Sequence, residues 1–173
     1  MYSVGDMVVY GRMGVCRVDD IGTPHLSTAD VGRSYYTLSP IYKDGHIYVP
    51  VDTCGFMRPV ISRDEALSLI ERMPDIEGKI FESRQVSAVR EHYQTLLVSD
   101  DWTDVIQVIK SIYAKQQALA EIGKCLGQVE AQYMKRAEEM LHEEFAVALG
   151  IPKSDVHAYI LEAVARVEHG EVL

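Results

Sequence analysis

Few residues have the type and spacing that chemistry requires. The best arranged pair is Glu139 and His142, whose Glu-x-x-His spacing places both side chains on one face of a helix, as in di-iron carboxylate bundles. Such a centre needs a second copy of the motif, and the sequence has none. The neighbouring acidic residues alternate with apolar ones, which is typical of a solvated helix face: Glu138, Glu139, Glu143 and Glu144. We therefore interpret the pair as surface residues and expect no metal and no cofactor.

Other nucleophiles and metal ligands are isolated. Cys16, Cys54 and Cys125 cannot all pair within one chain, and no two of them have the spacing of zinc ligands. We expect them to be buried thiols that pack as small apolar residues. The sequence also has no Gly-rich phosphate loop, no Gly-x-Ser-x-Gly elbow and no His-Glu-x-x-His motif. It therefore predicts a protein that is not an enzyme and takes no small-molecule substrate.

The charge is negative and unevenly distributed. The chain of 173 residues is 47% apolar and has a net charge of −9, which argues against coating nucleic acid by charge alone. Residues 1–60 hold 5 basic and 6 acidic residues, whereas residues 61–173 hold 12 and 20. Because phosphate neutralisation supplies most non-specific affinity for DNA, any DNA contact needs a local cluster of Arg and Lys.

Targeting signals are absent from the sequence pattern. No apolar run approaches the roughly 20 residues that cross a bilayer. The first six residues lack the basic and apolar segments of a secretory signal. We expect a cytoplasmic protein without a membrane partner.

The elements that would position any site change character near residue 60. Before it, short runs of β-branched and aromatic residues alternate with turn residues: Met7–Tyr10, Gly14–Val18, Tyr35–Leu38 and Ile47–Val51. Asp44-Gly45 predicts a hairpin between the last two, because type I′ turns favour this pair. Pro50 cannot donate to a ladder, so its strand should lie at an edge or end there. Strands this short and closely spaced predict a small β-barrel.

After residue 60 the apolar period is helical. Ser62 and Glu65 form a capping box, Ser99-Asp100-Asp101 offers an N-cap, and Gly150-Ile151-Pro152 stops a helix. The segment near 83–98 has an apolar stripe: Val86, Val89, Tyr93, Leu96 and Leu97. We predict an α+β protein, with a β-barrel domain at 1–60 and a bundle of four to five helices at 61–173.

Several motifs together resemble the RNA-polymerase-interacting domain of CarD-family regulators, which is shared with the transcription-repair coupling factor. The N-terminal motifs are Val4-Gly5-Asp6-Met7-Val8-Val9-Tyr10-Gly11-x-x-Gly14-Val15-Cys16, Tyr35-Tyr36-x-Leu38, Ile47-Tyr48-Val49-Pro50-Val51-Asp52 and Arg58-Pro59-Val60. The helical half is similar to the same family at Tyr93, Ser99-Asp100-Asp101, Val105-Ile106-x-Val108-Ile109-Lys110-x-Ile112-Tyr113 and Ala137-Glu138-x-x-Leu141-x-x-Glu144. The resemblance extends over nearly the whole chain.

The resemblance implies a Tudor-like barrel whose edge strand pairs with the β subunit of RNA polymerase. The residues implied in that contact are Tyr36, Thr37, Ile47, Tyr48, Val49 and Pro50. It also implies a helical domain that touches promoter DNA at the upstream edge of the transcription bubble and stabilises the open complex. The residues implied in DNA binding are Arg84, Val86, Arg90 and Trp102.

The sequence departs from the family pattern at two places. Family members use a tryptophan early in the helical domain as a wedge, and alignment places Val86 there. The only tryptophan, Trp102, lies further along at a helix start, where we expect a partly buried packing residue, with a DNA wedge as the alternative. The family often has an arginine in the strand before Val-Pro, and this chain has Tyr48.

Three functions remain open at the level of sequence. The first is a regulator that binds polymerase and DNA. The second is a polymerase-bound module whose acidic helical domain binds another protein in place of DNA. The third, a metalloenzyme, depends on Glu139 and His142 alone. A basic patch that includes Arg84, Arg90, Lys110 or Lys115 would favour the first.

Overall fold

The computed structural model describes residues 1–24, 32–53, 57–99, 101–170 and 172–173. The chain divides into two compact units, Met1–Ser62 and Arg63–Leu173. Strands make up the first unit and five α-helices the second, which confirms the predicted α+β class. Cys54 and Asp100, to which the sequence assigned roles, lie outside the described residues.

The first unit is a five-stranded antiparallel sheet in the order β4-β3-β2-β1-β5. Its strands are β1 Met7–Tyr10, β2 Gly14–Gly22, β3 Tyr35–Pro40, β4 Ile47–Pro50 and β5 Met57–Pro59. The four predicted strands are confirmed, and β4 is an edge strand that ends at Pro50, as expected. Strand β5 was not predicted, because three residues are too few to show a period of two.

One hydrophobic core holds the sheet together, and strands from both ends of the sheet order contact it. Its buried members are Val8, Cys16, Val18, Tyr36, Leu38 and Val49, with Met57 of β5 packed against them. Full burial of one such side chain contributes about 1.5–3 kcal/mol. Cys16 is a buried thiol as predicted, whereas Cys125 is exposed and corrects the same prediction.

The connection between β3 and β4 is longer than the Asp-Gly signal suggested. The two strands pair antiparallel, which confirms the hairpin, and Gly45 has a positive φ of +105°. Six residues, 41–46, separate the strands, so a two-residue type I′ turn is excluded. The last paired residues are Leu38 and Ile47.

The second unit contains α1 Arg63–Arg72, α2 Val86–Val98, α3 Trp102–Glu121, α4 Gln128–Leu149 and α5 Val156–Glu168. Five helices agree with the predicted four to five. Asp101 caps α3, since its carboxylate accepts from the Thr103 N–H at 2.8 Å. Gly150, with φ of +68°, ends α4 in the left-handed conformation.

The helical core follows the predicted stripes, with two corrections. Tyr93, Ile112 and Phe145 are fully buried. Val86 is 58% exposed, because it is the first residue of α2 and not part of the stripe that its spacing suggested. Glu143 and Glu144 are buried, although the sequence indicated a solvated face; the turn Lys153–Asp155 packs on α4.

Among the described residues, no helix has the length and apolar character needed to cross a membrane.

Candidate interaction sites

The sheet has two edges, and the β5 edge is largely occupied by the domain's own side chains. The Val60 N–H donates to the Met7 carbonyl at 3.2 Å, so by alternation Met57 and Pro59 turn their main-chain groups outward. The Met57 carbonyl accepts from the Tyr2 hydroxyl at 3.0 Å. The Pro59 carbonyl accepts from the Arg58 guanidinium at 3.3 Å. Both outward carbonyls of β5 are therefore already used.

The β4 edge is open. The Val51 N–H donates to the Ser34 carbonyl at 3.0 Å, which sets the alternation of the ladder. Ile47 and Val49 therefore bond to β3, whereas Tyr48 and Pro50 turn their main-chain groups outward. Proline at an outward position removes no ladder bond, which explains its place in this strand. Within the described residues, nothing hydrogen-bonds to the outward groups of Tyr48.

The predicted polymerase contacts separate into two groups. Ile47, Tyr48, Val49 and Pro50 lie on the open edge strand. Tyr36 and Thr37 lie in β3, which is paired on both sides, so neither can offer free main-chain groups to a partner. Tyr36 is also buried, and its hydroxyl accepts from the Tyr2 N–H at 3.1 Å. Burial and pairing make Tyr36 a residue that supports the edge, whereas a contact through the half-buried Thr37 side chain stays a prediction.

Polar side chains lie beside the beginning of β4. The Asp19 carboxylate accepts from the Ser39 hydroxyl and, at 2.7 Å, from the Arg17 Nε. These two hydrogen bonds, the serine bond first, hold the pKa of Asp19 below its usual value. The Ser39 oxygen lies 2.9 Å from His46 Nδ1. No local sequence pattern predicts this group, because its members come from separate strands and a loop.

Lys110 and Lys115 in the helical unit bind the protein itself. Lys110 Nζ donates to the carbonyls of Met73 and Ile76, the latter at 2.8 Å. Lys115 Nζ forms an ion pair with Glu130. Neither lysine is available to a phosphate. Of the four residues considered for a basic patch, only Arg84 and Arg90 therefore remain.

Arg84, Val86 and Arg90 lie at the exposed beginning of α2. Val86 and Arg90 are four residues apart and share one helix face. Gln85, the N-cap, makes no side-chain hydrogen bond to the first turn, so that turn keeps main-chain N–H groups at the positive end of the helix dipole. Residues 78–90 hold three basic residues and one acidic residue, in a unit that is strongly acidic. This surface suits a phosphate oxygen.

The segment before α2, residues 78–85, packs against α3 and α2. An added Cβ on Gly78 would lie 2.5 Å from the Lys110 main-chain carbon, so only glycine fits this approach to α3. The Phe81 ring stacks on His92 with centroids 4.0 Å apart and planes at 9°. The Phe81 carbonyl accepts from Lys115 Nζ at 3.4 Å. These contacts position Arg84, and sequence reasoning missed them because stacking across a turn has no period.

Trp102 is 8% exposed and belongs to the helical core. Its ring meets Phe145 edge to face, with centroids 5.4 Å apart and planes at 76°. The indole Nε1 is buried and has no hydrogen-bond partner among the described residues. Burial and the Phe145 contact support its interpretation as a packing residue, and the alternative DNA contact stays a prediction.

Glu139 and His142 lie in different surroundings on α4. Glu139 is exposed, and His142 is half-buried beside His157, with ring centroids 6.0 Å apart. Burial, together with His157 and Lys153, lowers the pKa of His142. Across the described part of the chain, no three His, Cys, Asp or Glu side chains group closely enough to hold a metal ion.

Residues 2–61 match the family model of the CarD-like/TRCF RID domain. The match covers the first unit almost from end to end and stops before the helical unit. The first unit is therefore similar to this RNA-polymerase-interacting domain, whose fold is Tudor-like. A comparison with curated proteins found no match.

Proposed function

We propose that the protein is a bacterial transcription regulator that binds RNA polymerase through the open β4 edge, with the β subunit as partner, and acts by binding and not by catalysis. The observation that carries this proposal is the match to the RID domain together with the β4 edge. Within the described residues, the outward carbonyls of β4 accept no hydrogen bond, whereas both outward carbonyls of β5 do. A free strand edge recognises an extended partner segment by main-chain hydrogen bonding.

The contact would centre on Tyr48. Its N–H and C=O face outward, and the Pro50 carbonyl follows at the next outward position. The residue is 38% exposed, and its side chain lies on the face of the sheet opposite the core, where the family often has arginine. A phenol there adds apolar area and a hydroxyl to the interface but no positive charge.

A proline substitution at Tyr48 tests the edge. Tyr48→Pro removes the outward N–H without breaking a bond to β3, whereas Tyr48→Ala removes the side chain and keeps the N–H. We expect core polymerase to bind the proline variant at least tenfold more weakly than the alanine variant, as measured by surface plasmon resonance with full-length protein. Circular dichroism establishes that both variants fold. Wild-type affinity of a folded proline variant would contradict the proposal.

A photo-crosslinker gives a second, independent measurement. Benzoyl-phenylalanine in place of Tyr48 should crosslink to the β subunit. In place of Tyr113, which is exposed on α3 of the other unit, it should not. Crosslinking from position 48 to another subunit would support contact through the β4 edge and contradict the β subunit as the partner.

We further propose that the helical unit contacts promoter DNA at the upstream edge of the bubble and stabilises the open complex. Exposed Arg84 and Arg90 beside a helix N-terminus support this, and Val86 offers a small apolar surface at the position of the family wedge. With few cations, the unit should bind free duplex weakly and with a shallow salt dependence. Attachment to polymerase would raise the effective DNA concentration enough for these contacts to act.

Binding of a protein by the helical unit, in place of DNA, is the second candidate. It is favoured by the internal use of Lys110, Lys115 and Lys153, which leaves an acidic unit with fewer cations for phosphate. The two candidates differ in what they require of Arg84 and Arg90. If the helical unit binds DNA, the open-complex lifetime should depend on these two charges in a reaction that contains only polymerase, promoter DNA and this protein. If it binds another protein, the lifetime in that reaction should not depend on them.

A further inference from the structure

The β3–β4 ladder cannot continue past Ile47 by main-chain bonds. In the register of the two strands, the next hydrogen-bonded pair would be Pro40 with Gly45. Pro40 has no N–H to donate, and Gly45 leaves the extended conformation with φ of +105°. His46 lies between Gly45 and the strand, and by the alternation of the ladder its main-chain groups do not bond to β3.

A side-chain contact joins His46 to the sheet at this point. In register, His46 lies opposite Ser39 at a non-hydrogen-bonded position, where facing side chains approach most closely. The Ser39 oxygen is 2.9 Å from His46 Nδ1. Because Asp19 is ionised and only accepts, the single Ser39 hydroxyl proton points to Asp19. His46 Nδ1 must then carry a proton and donate it to Ser39.

The geometry of β2 places Asp19 for this role. Val18 pairs with Leu38 and Asp20 pairs with Thr37, so Asp19 is the extra residue of a β-bulge. Bulges redirect side chains, and here the carboxylate reaches Ser39 on the neighbouring strand. Arg17 holds the same carboxylate from its other side at 2.7 Å.

We propose that the Asp19–Ser39–His46 network replaces the ladder bond that Pro40 cannot make, extends the ordered edge of β4 to His46, and so adds a second main-chain donor to the polymerase-binding edge. The inference rests on the proposed function. Along the described edge, Tyr48 supplies one outward N–H and Pro50 supplies none. His46 is two residues before Tyr48, at the spacing of about 6.8 Å at which a partner strand presents its next acceptor.

Deletion of the Ser39 hydroxyl tests the network. Ser39→Ala in the full chain should weaken binding to core polymerase about 3- to 10-fold, the range expected for one hydrogen bond. Ser39→Thr keeps the hydroxyl and should restore binding. The matched control is Thr23→Ala, which also removes a hydroxyl hydrogen bond of this unit, to the Arg33 carbonyl at 3.3 Å, and should leave affinity unchanged.

His46 provides a second arm if Ser39→Ala unfolds. His46→Leu should weaken binding as Ser39→Ala does, and His46→Asn, whose amide can donate from the position of Nδ1, should restore part of it. In the free protein, the ¹⁵N resonance of His46 Nδ1 should show a bound proton that Ser39→Ala removes or moves to Nε2. That readout does not depend on polymerase.

The outcomes separate the two proposals. Wild-type binding by folded Ser39→Ala and His46→Leu, with binding by Tyr48→Pro lost, would overturn the network and retain the edge. Wild-type binding by Tyr48→Pro as well would overturn the edge itself. A His46 Nδ1 without a proton in the wild-type protein would overturn the network whatever the affinities.

Discussion

Lys115 on α3 and Glu130 on α4 form an ion pair whose side chains are only 17% and 9% exposed. The same lysine donates to the Phe81 carbonyl, in the segment that presents Arg84. One side chain therefore joins two helices and the segment that carries a proposed DNA contact.

Removal of this cation should be costly. Lys115→Met leaves Glu130 buried without its partner, and we expect a loss of about 3 kcal/mol in the free energy of unfolding. Lys135→Met is the control, because Lys135 and Glu139 form an exposed pair (78% and 53%) that contributes no more than about 0.5 kcal/mol. Urea denaturation measures both. Equal losses would show that the buried pair has no special role.

Trp102 should matter for stability and not for DNA. Trp102→Ala removes a buried ring that packs on Phe145, so we expect a loss of about 3–5 kcal/mol. Trp102→Phe keeps an aromatic ring and removes an Nε1 that has no partner in the described structure, so its cost should be smaller. If Trp102→Phe shortens the open-complex lifetime while its melting temperature stays within a few degrees of wild type, then Trp102 contacts DNA after all.

Reversal of the charges at Arg84 and Arg90 should affect promoter complexes. The Arg84→Glu/Arg90→Glu variant should shorten the open-complex half-life and leave affinity for core polymerase unchanged, since both side chains are exposed in the helical unit. The control is Lys124→Glu/Lys135→Glu, which changes the net charge equally at two exposed sites, one between α3 and α4 and one in α4. A wild-type half-life for the Arg84/Arg90 variant would favour a protein partner for this unit.

Stability should fall on mild acidification. Burial lowers the pKa values of His92 and His142, so the unfolded chain takes up protons that the folded chain resists. The free energy of unfolding is therefore lost as pH falls below the unfolded value of about 6.5. Urea denaturation at several pH values between 7.5 and 5.5 gives the free energy of unfolding as a function of pH. This free energy should change less steeply with pH in His92→Gln/His142→Gln than in the wild-type protein. An unchanged slope would assign the effect to other groups.

The sequence alone determined much of the secondary structure and the character of the first unit. Strand β1, the start of α3 at Trp102 and the end of α4 at Gly150 follow from local signals: β-branched runs, an N-cap and a left-handed glycine. Such signals act over a few neighbouring residues. The string of motifs from Val4 to Val60 also identified the polymerase-interacting domain that the family model matches.

The tertiary structure alone decided which of these residues are exposed and which are already paired within the protein. Thr37 and Tyr48 have similar patterns in sequence, but strand order places the first inside the sheet and the second at its edge. Val86 and Trp102 both begin helices, and only Val86 remains exposed, because Phe145 of α4 covers Trp102. The sequence shows Lys110 and Lys115 only as two positive charges. In the structure, Lys110 donates to a main-chain carbonyl and Lys115 pairs with a carboxylate, both from other parts of the chain. Exposure and charge pairing depend on the residues that pack against a side chain. Those neighbours come from distant parts of the chain, so no local sequence pattern predicts them.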